Sequence, residues 1–556
     1  MKRLVASILI VTIALCSAVI GHAQEEKKPD VPQIKITTTN GVGNTIQKAD
    51  GYVPAAVSIE GEDGSVLEDS VSFKVRGNST ALEGIDKKAF TFKFAKKKNV
   101  LNMGKGKKWA LLANTFDPTL MRNYIAFDLA QKLEIPYTSN QKMVELWVDG
   151  VFKGCYQLME PVQAGSDRVD IDVEGDDGKK DFMIELEASR AESDVTYISV
   201  NGIRFAVSEP EEPTEEQVSY IRTTLSDVFG ALNSKDRERI ENILDVSSFV
   251  KFYVLNEYIK TWDFDFSSVF FYFKDGKLYA GPPWDYDLSM GNVNKDFSAK
   301  GKKAIDPEGI YTDQMHIYKM LTRLDWFNEA VKKEFIDNFG LLTDTYSEGG
   351  VIDRFLESYK SVIDRNFNEA GWKVGRYYVN VQRKPLATYE ENLSYLRDWL
   401  KTRTEWLESY LGIERPTESE QASTSESVSE ATETTEATKT TETTETAEST
   451  ETTVPTSTAE PVTETTEATE ATTKATSTTE ASETSAPTET TKPPYELGDV
   501  NLDKIVNVKD ATELQKHLAD LVKLNEVQLS LCDTTRDGLI NIKDATMIQK
   551  IAAKLV

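Results

Sequence analysis

Cysteine is scarce in this chain of 556 residues, which contains three. Cys16 lies in an N-terminal apolar stretch that we expect to be removed, so two cysteines would remain in the mature protein. Cys155 and Cys532 fall in different predicted domains. We therefore expect no disulfide framework, even in an exported protein.

Histidine is equally scarce, and only His316 and His517 follow the N-terminal apolar stretch. A zinc site rich in histidine is therefore excluded. A Ser-His-Asp triad could use only one of the two, and His316 is expected on the surface of a helix.

Positive charge is outweighed by negative charge, and the formal net charge at pH 7 is −27. Because nucleic-acid phosphates would repel such a chain, we expect no nucleic-acid partner. Much of this charge lies in one low-complexity segment, so the folded parts are less acidic than the total implies.

Long apolar runs are absent after residue 23, and we expect no membrane span in the mature chain. Residues 1–23 are typical of a secretion signal. Lys2 and Arg3 precede an apolar core, and Ala23 ends a small-residue cleavage site. The sequence therefore predicts an exported protein.

One stretch, residues 256–292, organises the rest of the chain. Asp275-Gly276 separates two apolar runs and predicts a two-residue β-hairpin. With Lys274 paired to Lys277, continued pairing would place Asp285 opposite Phe266 and Asp287 opposite Phe264.

Such a hairpin would bring two acidic clusters to one end of a small sheet. The clusters are Asp263 with Asp265 and Asp285 with Asp287. Carboxylates held close together repel one another unless a cation lies between them. Mg²⁺ bound to a nucleotide phosphate is one such cation. An exposed acidic loop on a solvated hairpin is the alternative.

The remainder of the first 415 residues predicts an α+β fold. Strands dominate the first half and amphipathic helices dominate residues 293–413. We expect a helix to begin at Asp117 and another to span 236–261. This organisation resembles a two-lobed enzyme with a cleft between its lobes.

Residues 416–494 consist largely of Thr, Glu, Ser and Ala, with almost no large apolar residue. Such a segment cannot bury enough surface to offset the entropy lost on ordering. It is predicted to be a disordered acidic linker.

Residues 495–556 contain a duplicated pattern of oxygen-bearing side chains with the spacing of calcium-binding loops. Each copy supplies loop positions 1, 3, 5, 9 and 12, and a carbonyl at position 7. The first site comprises Asp499, Asn501, Asp503, Ile505, Asn507 and Asp510; the second comprises Asp533, Thr535, Asp537, Leu539, Asn541 and Asp544. A helix is predicted after each loop, from Ala511 and from Ala545.

This region resembles a type I dockerin, a small all-α module that binds two Ca²⁺ ions. The resemblance implies a cohesin of a scaffoldin as partner and a secreted, cellulosome-associated protein.

Residues 71–415, preceded by a lead-in of 24–70, resemble the CotH kinase family. The resemblance rests on VRGNST, KKAFTFKF, KKWALLANTFDPTLMRNYIAFDLA, VELWVDGVFKGCYQLME and the stretch from NEYIKTWD to PPWDYDLSMGN. It implies an atypical protein kinase that uses ATP with Mg²⁺ or Mn²⁺ to phosphorylate Ser or Thr of an unknown protein.

The same resemblance implies roles for individual residues. Asp263 would be the catalytic acid, and Asp285 and Asp287 would hold the metal. The residues expected to contact the nucleotide are Lys88, with Lys87 close behind, Arg76 and Ser79 over the phosphates, and Glu160 near the adenine.

Two other interpretations stay open. A polysaccharide-degrading enzyme could use two of the clustered carboxylates. A non-catalytic structural protein could keep a kinase-like fold without activity.

Overall fold

The structure, a computed structural model, describes most of the chain. The described residues are 29–174, 181–188, 195–413, 495–518, 522–536 and 540–552. They belong to two units, Met1–Thr438 and Lys439–Val556, which are treated separately below. The predicted secretion signal and linker lie outside the described residues, as do Asp537 and Leu539 of the second calcium loop.

The first unit begins with a seven-stranded barrel in the order β1-β2-β3-β4-β5-β7-β6. Neighbouring strands are antiparallel except β1 and β6, whose parallel pairing closes the barrel. The strands are β1 (Gln33–Thr38), β2 (Val53–Glu60), β3 (Val66–Arg76), β4 (Ala89–Asn99), β5 (Lys105–Leu112), β6 (Gln141–Val148) and β7 (Val151–Met159). The predicted lead-in thus supplies two strands of the same barrel.

Alternating side chains explain why these segments form a barrel. In β3, Phe73 and Val75 are buried while the residues between them are partly exposed. Phe73 stacks on Phe90 of β4 with ring centroids 4.8 Å apart. Burying each such ring stabilises the fold by roughly 1.5–3 kcal/mol. This packing fixes the end of β3, where Arg76 begins the turn to β4.

A second, antiparallel sheet has the order β12-β11-β8-β10-β9. Its strands are β8 (Phe182–Leu186), β9 (Tyr197–Val200), β10 (Ile203–Glu209), β11 (Val269–Lys274) and β12 (Lys277–Ala280). The predicted hairpin register is confirmed, since Lys274 pairs with Lys277. Asp275 and Gly276 have φ values of 50° and 82°, as a tight hairpin turn of this kind requires.

Ten helices complete the described part of this unit. They are α1 (Arg122–Lys132), α2 (Glu215–Ser234), α3 (Arg237–Ile243), α4 (Val246–Ile259), α5 (Ala299–Ile305), α6 (His316–Leu321), α7 (Asp325–Asp337), α8 (Phe339–Asp344), α9 (Val351–Asn368) and α10 (Tyr389–Leu411). Among the described residues, no helix is both long and apolar enough to cross a bilayer. The α+β class is confirmed.

Two helix predictions need correction. The helix expected over 236–261 is interrupted, because the Asp245 carboxylate accepts the Ser248 N–H at 2.8 Å and starts a new helix. The helix expected from Asp117 begins at Arg122, because Leu120 has a φ of 61°, which no right-handed helix permits.

The second unit contains α11 (Val508–Leu518), α12 (Glu526–Ser530) and α13 (Ile542–Ala552). Its core includes Leu514 and Ile548, which are fully buried. Both loop helices begin three residues before the predicted starts at Ala511 and Ala545. The reason is local: Asn507 and Asn541 each accept the N–H two residues ahead at 2.9 Å and so cap the helix.

Candidate functional site

The two acidic clusters of the first unit meet through loop-to-loop hydrogen bonds. The hairpin ladder ends at Ala280, so the predicted pairings of Asp285 with Phe266 and of Asp287 with Phe264 are wrong. Instead, the segment leaving α4 runs beside the loop that follows β12. The Trp262 N–H donates to the Leu288 carbonyl at 2.9 Å, and the Met290 N–H donates to the Ile259 carbonyl at 2.7 Å.

Between the barrel and these loops lies a cleft of about 470 Å³, a size typical of small-molecule sites. The turn from Arg76 to Thr80 lines it on the barrel side. Asp263, Asp285 and Asp287 line it from the two loops. The structure thus brings the predicted acids and the predicted turn to one cavity.

Burial and mutual repulsion perturb these acids. Burial, together with the Asp285 carboxylate, raises the pKa of Asp263 to about 8. Burial and the charges of Asp285 and Asp263 raise the pKa of Asp287 well above its usual value. Asp265 forms an ion pair with Lys300 instead and does not line the cleft. The cleft therefore holds negative charge that a cation would stabilise.

Three non-glycine residues that line the cleft have left-handed backbone conformations. They are Asn114, Ser268 and Asp285, with φ values of 45°, 62° and 66°. Such conformations are costly and concentrate at functional sites. The Ser268 hydroxyl donates to Asp285 at 3.2 Å, which helps to orient that carboxylate.

Arg122 of α1 is completely buried and forms an ion pair with Asp117 at 2.6 Å. Its Nε donates to the Ser289 carbonyl at 3.2 Å. Asp117 also accepts the Arg122 N–H at 2.7 Å. This buried pair therefore anchors the loop after Asp287 to the start of α1.

Arg76 is the one cation among the described residues that line the cleft. Its guanidinium lies 5.1 Å from the Trp284 ring centroid, and its buried Nη1 has no hydrogen-bond partner. Burial lowers the pKa of Arg76, and the Asp285 charge opposes that change. A buried donor without a partner costs about 1–3 kcal/mol, which an anionic ligand would relieve.

The rest of the turn suits an anion as well. Ser79, Asn78 and Thr80 line the cleft beside Arg76. Gly77 has a φ of 86°, and a Cβ there would collide with the Thr80 hydroxyl, so only glycine fits.

Three predicted nucleotide contacts are not brought into the cleft. Lys87 is buried and donates to the Cys155 carbonyl at 3.0 Å; burial lowers its pKa to about 8. Lys88 donates to the carbonyls of Ala81 and Leu82 and lines a separate cavity of about 600 Å³ that contains none of the clustered acids.

Glu160, the third of these contacts, forms an ion pair with Arg168 and accepts the Asn140 N–H at 3.1 Å. Burial raises its pKa, and Arg168 opposes that change. Its carboxylate is therefore occupied by the protein itself, away from the acidic cluster.

Sequence reasoning missed several polar residues of the cleft, among them Glu185, Asn123 and Asn114. Glu185 of β8 accepts the Ser268 N–H at 3.1 Å. Asn123 accepts the Tyr286 N–H at 2.8 Å and donates to Asn114 at 3.1 Å. An acid inside the apolar strand FMIEL was a usable signal for Glu185. Asn114 and Asn123 could not be predicted, because they join the cleft only through the packing of α1 beside the loop that carries Tyr286.

The donor set fits a metal that arrives with a phosphate. In the described parts of the chain, no three or more Asp, Glu, His or Cys side chains form a ready metal site. Mg²⁺ is usually held by one or two carboxylates together with phosphate oxygens and water. Asp285 and Asp287 would supply such carboxylates, and the turn at Arg76 would lie on the phosphate side of the cleft.

The first calcium loop of the second unit is closed by its own backbone. Asp510 is fully buried and accepts the Asn501 N–H at 3.0 Å and the Asn507 N–H at 2.8 Å. Asp499, also fully buried, accepts the Lys504 N–H at 2.9 Å. Lys504, which stands where a glycine is usual, has a left-handed conformation with a φ of 69°.

The second loop repeats this arrangement. Asp544 accepts the N–H groups of Thr535 and Asn541, both at 2.9 Å. Burial acts to raise the pKa of Asp544, but these hydrogen bonds outweigh it and hold the pKa below its usual value. Asp533 is also described, so four of the six predicted ligands are placed.

Comparison with known families identifies two domains in the chain. The family described as CotH kinase protein matches residues 73–407, more than half of the chain. The family described as Dockerin type I domain matches residues 497–551. A search of curated proteins found no significant match. The chain belongs to the CotH kinase protein family and carries a calcium-binding type I dockerin domain near its C-terminus.

Proposed function

We propose that the first unit is a two-lobed, atypical protein kinase that transfers the γ-phosphoryl group of ATP to Ser or Thr of a protein. The observation that supports this most is the cleft itself. Repelling carboxylates and a buried arginine without a partner for Nη1 line the same cavity. Bound Mg·ATP would satisfy both, because its metal pairs with the carboxylates and its phosphates with the arginine.

Asp263 is proposed as the catalytic aspartate. It would orient the acceptor hydroxyl and, as a general base, take its proton. A pKa near 8 suits a group that exchanges a proton near neutral pH. Asp285 and Asp287 would hold Mg²⁺ or Mn²⁺, which would neutralise charge on the phosphates.

Arg76 and Ser79 are proposed to contact the phosphates. Because Lys87 and Lys88 donate to backbone carbonyls outside the cleft, Arg76 takes the role first expected of a lysine. Glu160 is not assigned to the nucleotide, because Arg168 and the Asn140 N–H already occupy its carboxylate.

We further propose that the chain is exported and attached to a scaffoldin through its dockerin. Two Ca²⁺ ions would be held by the predicted ligands, and a cohesin would be the partner. The protein would then act outside the cell, within a cellulosome.

Phosphoryl transfer tests the central proposal. The purified full-length chain, incubated with γ-³²P-ATP and Mg²⁺, is expected to label itself or a Ser-rich protein. Asp263→Asn should reduce the rate about 10²–10⁴-fold. Asp265→Asn, which changes a neighbouring acid outside the cleft, should stay within about tenfold of wild type.

Absence of labelling by the wild-type protein, or equal rates for wild type and Asp263→Asn, would reject the kinase proposal. Release of reducing sugar from xylan or cellulose would favour the polysaccharide-degrading alternative.

A further inference from the structure

The segment that follows α5 is fastened to α4 by buried side chains that bond its backbone. Lys260, the residue after α4, donates its Nζ to the carbonyls of Lys303, Asp306 and Glu308, at 3.3 Å and 2.6 Å for the first two. Trp399 of α10 donates to the Ile305 carbonyl at 2.7 Å. Residues 303–312, here called the strap, are therefore fixed by contacts that do not depend on the strap's own side chains.

A completely buried ion pair secures the other end of the strap. Arg403 of α10 donates to Glu257 of α4 at 2.7 Å, and both side chains are 0% exposed. Glu257 also accepts the N–H groups of Tyr311 at 3.0 Å and Thr312 at 2.6 Å. Such a pair overcomes its desolvation cost only when nearly every polar atom is bonded, so its geometry is narrowly defined.

The strap also bonds to the backbone of the residue that precedes Asp263. The Tyr311 O–H donates to the Trp262 carbonyl at 2.9 Å. On the other side of the same residue, the Trp262 N–H donates to the Leu288 carbonyl at 2.9 Å. The residue before Asp263 is thus held between the strap and the loop that carries Asp285 and Asp287.

We propose that Tyr311 is a positioning residue that sets the direction of the Asp263 carboxylate, and that the Glu257–Arg403 pair holds Tyr311 in place. This inference rests on the proposed kinase function. Tyr311 touches neither the cleft nor a reacting atom; it acts through the peptide bond between Trp262 and Asp263. Its loss should lower turnover without weakening nucleotide binding.

The chain offers a closely matched control. Tyr318 is fully buried, and its hydroxyl also donates to a backbone carbonyl at 2.9 Å, that of Phe249 near the start of α4. Tyr311→Phe and Tyr318→Phe therefore each remove one buried hydroxyl and one hydrogen bond. Similar losses of thermal stability are expected from the two variants.

Steady-state phosphoryl transfer by the full-length variants separates positioning from stability. Tyr311→Phe should reduce kcat about tenfold and leave the KM for ATP unchanged, whereas Tyr318→Phe should keep the wild-type kcat. Equal kcat values for the two variants would overturn the proposal.

Amide hydrogen exchange keeps this test separate from the kinase proposal, since it needs no activity. Tyr311→Phe should speed exchange of the Trp262 amide, and Tyr318→Phe should not. If the wild-type protein transfers no phosphoryl group, the kinase proposal fails. Amide hydrogen exchange then still tests whether Tyr311 holds Trp262 in place. Unchanged exchange at Trp262 in Tyr311→Phe would contradict it.

Discussion

The chain gathers carboxylates in two places, and the two sites are built in opposite ways. In the first calcium loop, Asp499 and Asp510 lie within twelve residues and accept N–H groups from their own loop. In the cleft, Asp263 and Asp285 come from loops on either side of a hairpin, and burial together with the Asp285 charge raises the pKa of Asp263. The loop holds its carboxylates with its own backbone, whereas the cleft brings together carboxylates that repel one another.

The pKa values express this difference. Asp544 has a pKa below its usual value, because backbone hydrogen bonds outweigh the effect of burial. Asp263 and Asp287 have raised pKa values, because burial and neighbouring charges act together. The hydrogen bonds of its own loop therefore favour the charged form of Asp544, whereas a cation would be needed to favour the charged forms of Asp263 and Asp287 in the cleft.

Removing a loop carboxylate should have the largest effect in this comparison. Asp510→Ala deletes a ligand and leaves the N–H groups of Asn501 and Asn507 without their acceptor. Cohesin binding in Ca²⁺, followed by calorimetry, should weaken by about 100-fold or more, equal to about 2.7 kcal/mol. Glu513→Ala, which changes a partly exposed acid of α11 outside the calcium ligands, is the control and should bind as wild type does.

Wild-type affinity in Asp510→Ala would contradict the assignment of the first loop. Persistence of cohesin binding in excess EDTA would contradict the proposal that this binding depends on calcium. Phosphoryl transfer by the first unit should be unchanged in both variants.

The pH dependence of stability should separate the cleft from an ordinary surface. The native protein keeps the Asp263 proton up to about pH 8, whereas the unfolded chain releases it near the usual value of 3.8. Between these values the native state binds more protons, so stability falls as the pH rises. Asp263→Asn removes this penalty, and its gain in stability over wild type should grow from pH 5 to pH 8.

Denaturant unfolding without nucleotide measures this gain, which should grow by at most about 1.4 kcal/mol per pH unit. Asp337→Asn on α7 removes the same charge from an exposed position and should give no comparable growth. If the difference in free energy of unfolding between Asp263→Asn and wild type does not change with pH, the cleft does not raise the pKa of Asp263.

A smaller effect is expected at Lys504, a residue of the first calcium loop with a left-handed backbone conformation. Lys504 has a φ of 69°, which glycine adopts without a Cβ clash. Lys504→Gly keeps the N–H bonded to Asp499 and should stabilise the calcium-loaded dockerin by about 0.5–1 kcal/mol. Thermal unfolding in Ca²⁺ measures the change; Lys509→Gly, inside α11, should act in the opposite direction.

Local chemistry explains what could be read from the sequence. The Asp275-Gly276 turn defined its hairpin register, and loop spacing located Asp499 to Asp510, because each signal lies within a few residues. The turn at Arg76 and Ser79 lines the same cavity as the acids, although no contact between them could be predicted from the sequence.

Tertiary packing explains what could not be read. The acids converge through Trp262 and Leu288 rather than through the extended hairpin. Lys87 and Lys88 lie just before β4. The alternation of side chains in a strand could not reveal that both lysines donate to backbone carbonyls. Leu120 has a left-handed conformation that no propensity predicts, so the helix expected from Asp117 begins only at Arg122.

Nucleotide-dependent metal binding tests the central claim most directly. The full-length chain, with its calcium loops saturated by excess Ca²⁺, is titrated with Mn²⁺ in the presence and absence of a non-hydrolysable ATP analogue. Wild type should bind Mn²⁺ tightly only with the nucleotide, and Asp285→Asn should lose at least about tenfold in affinity, while Asp265→Asn should not. Equal Mn²⁺ affinity for wild type and Asp285→Asn would contradict the account.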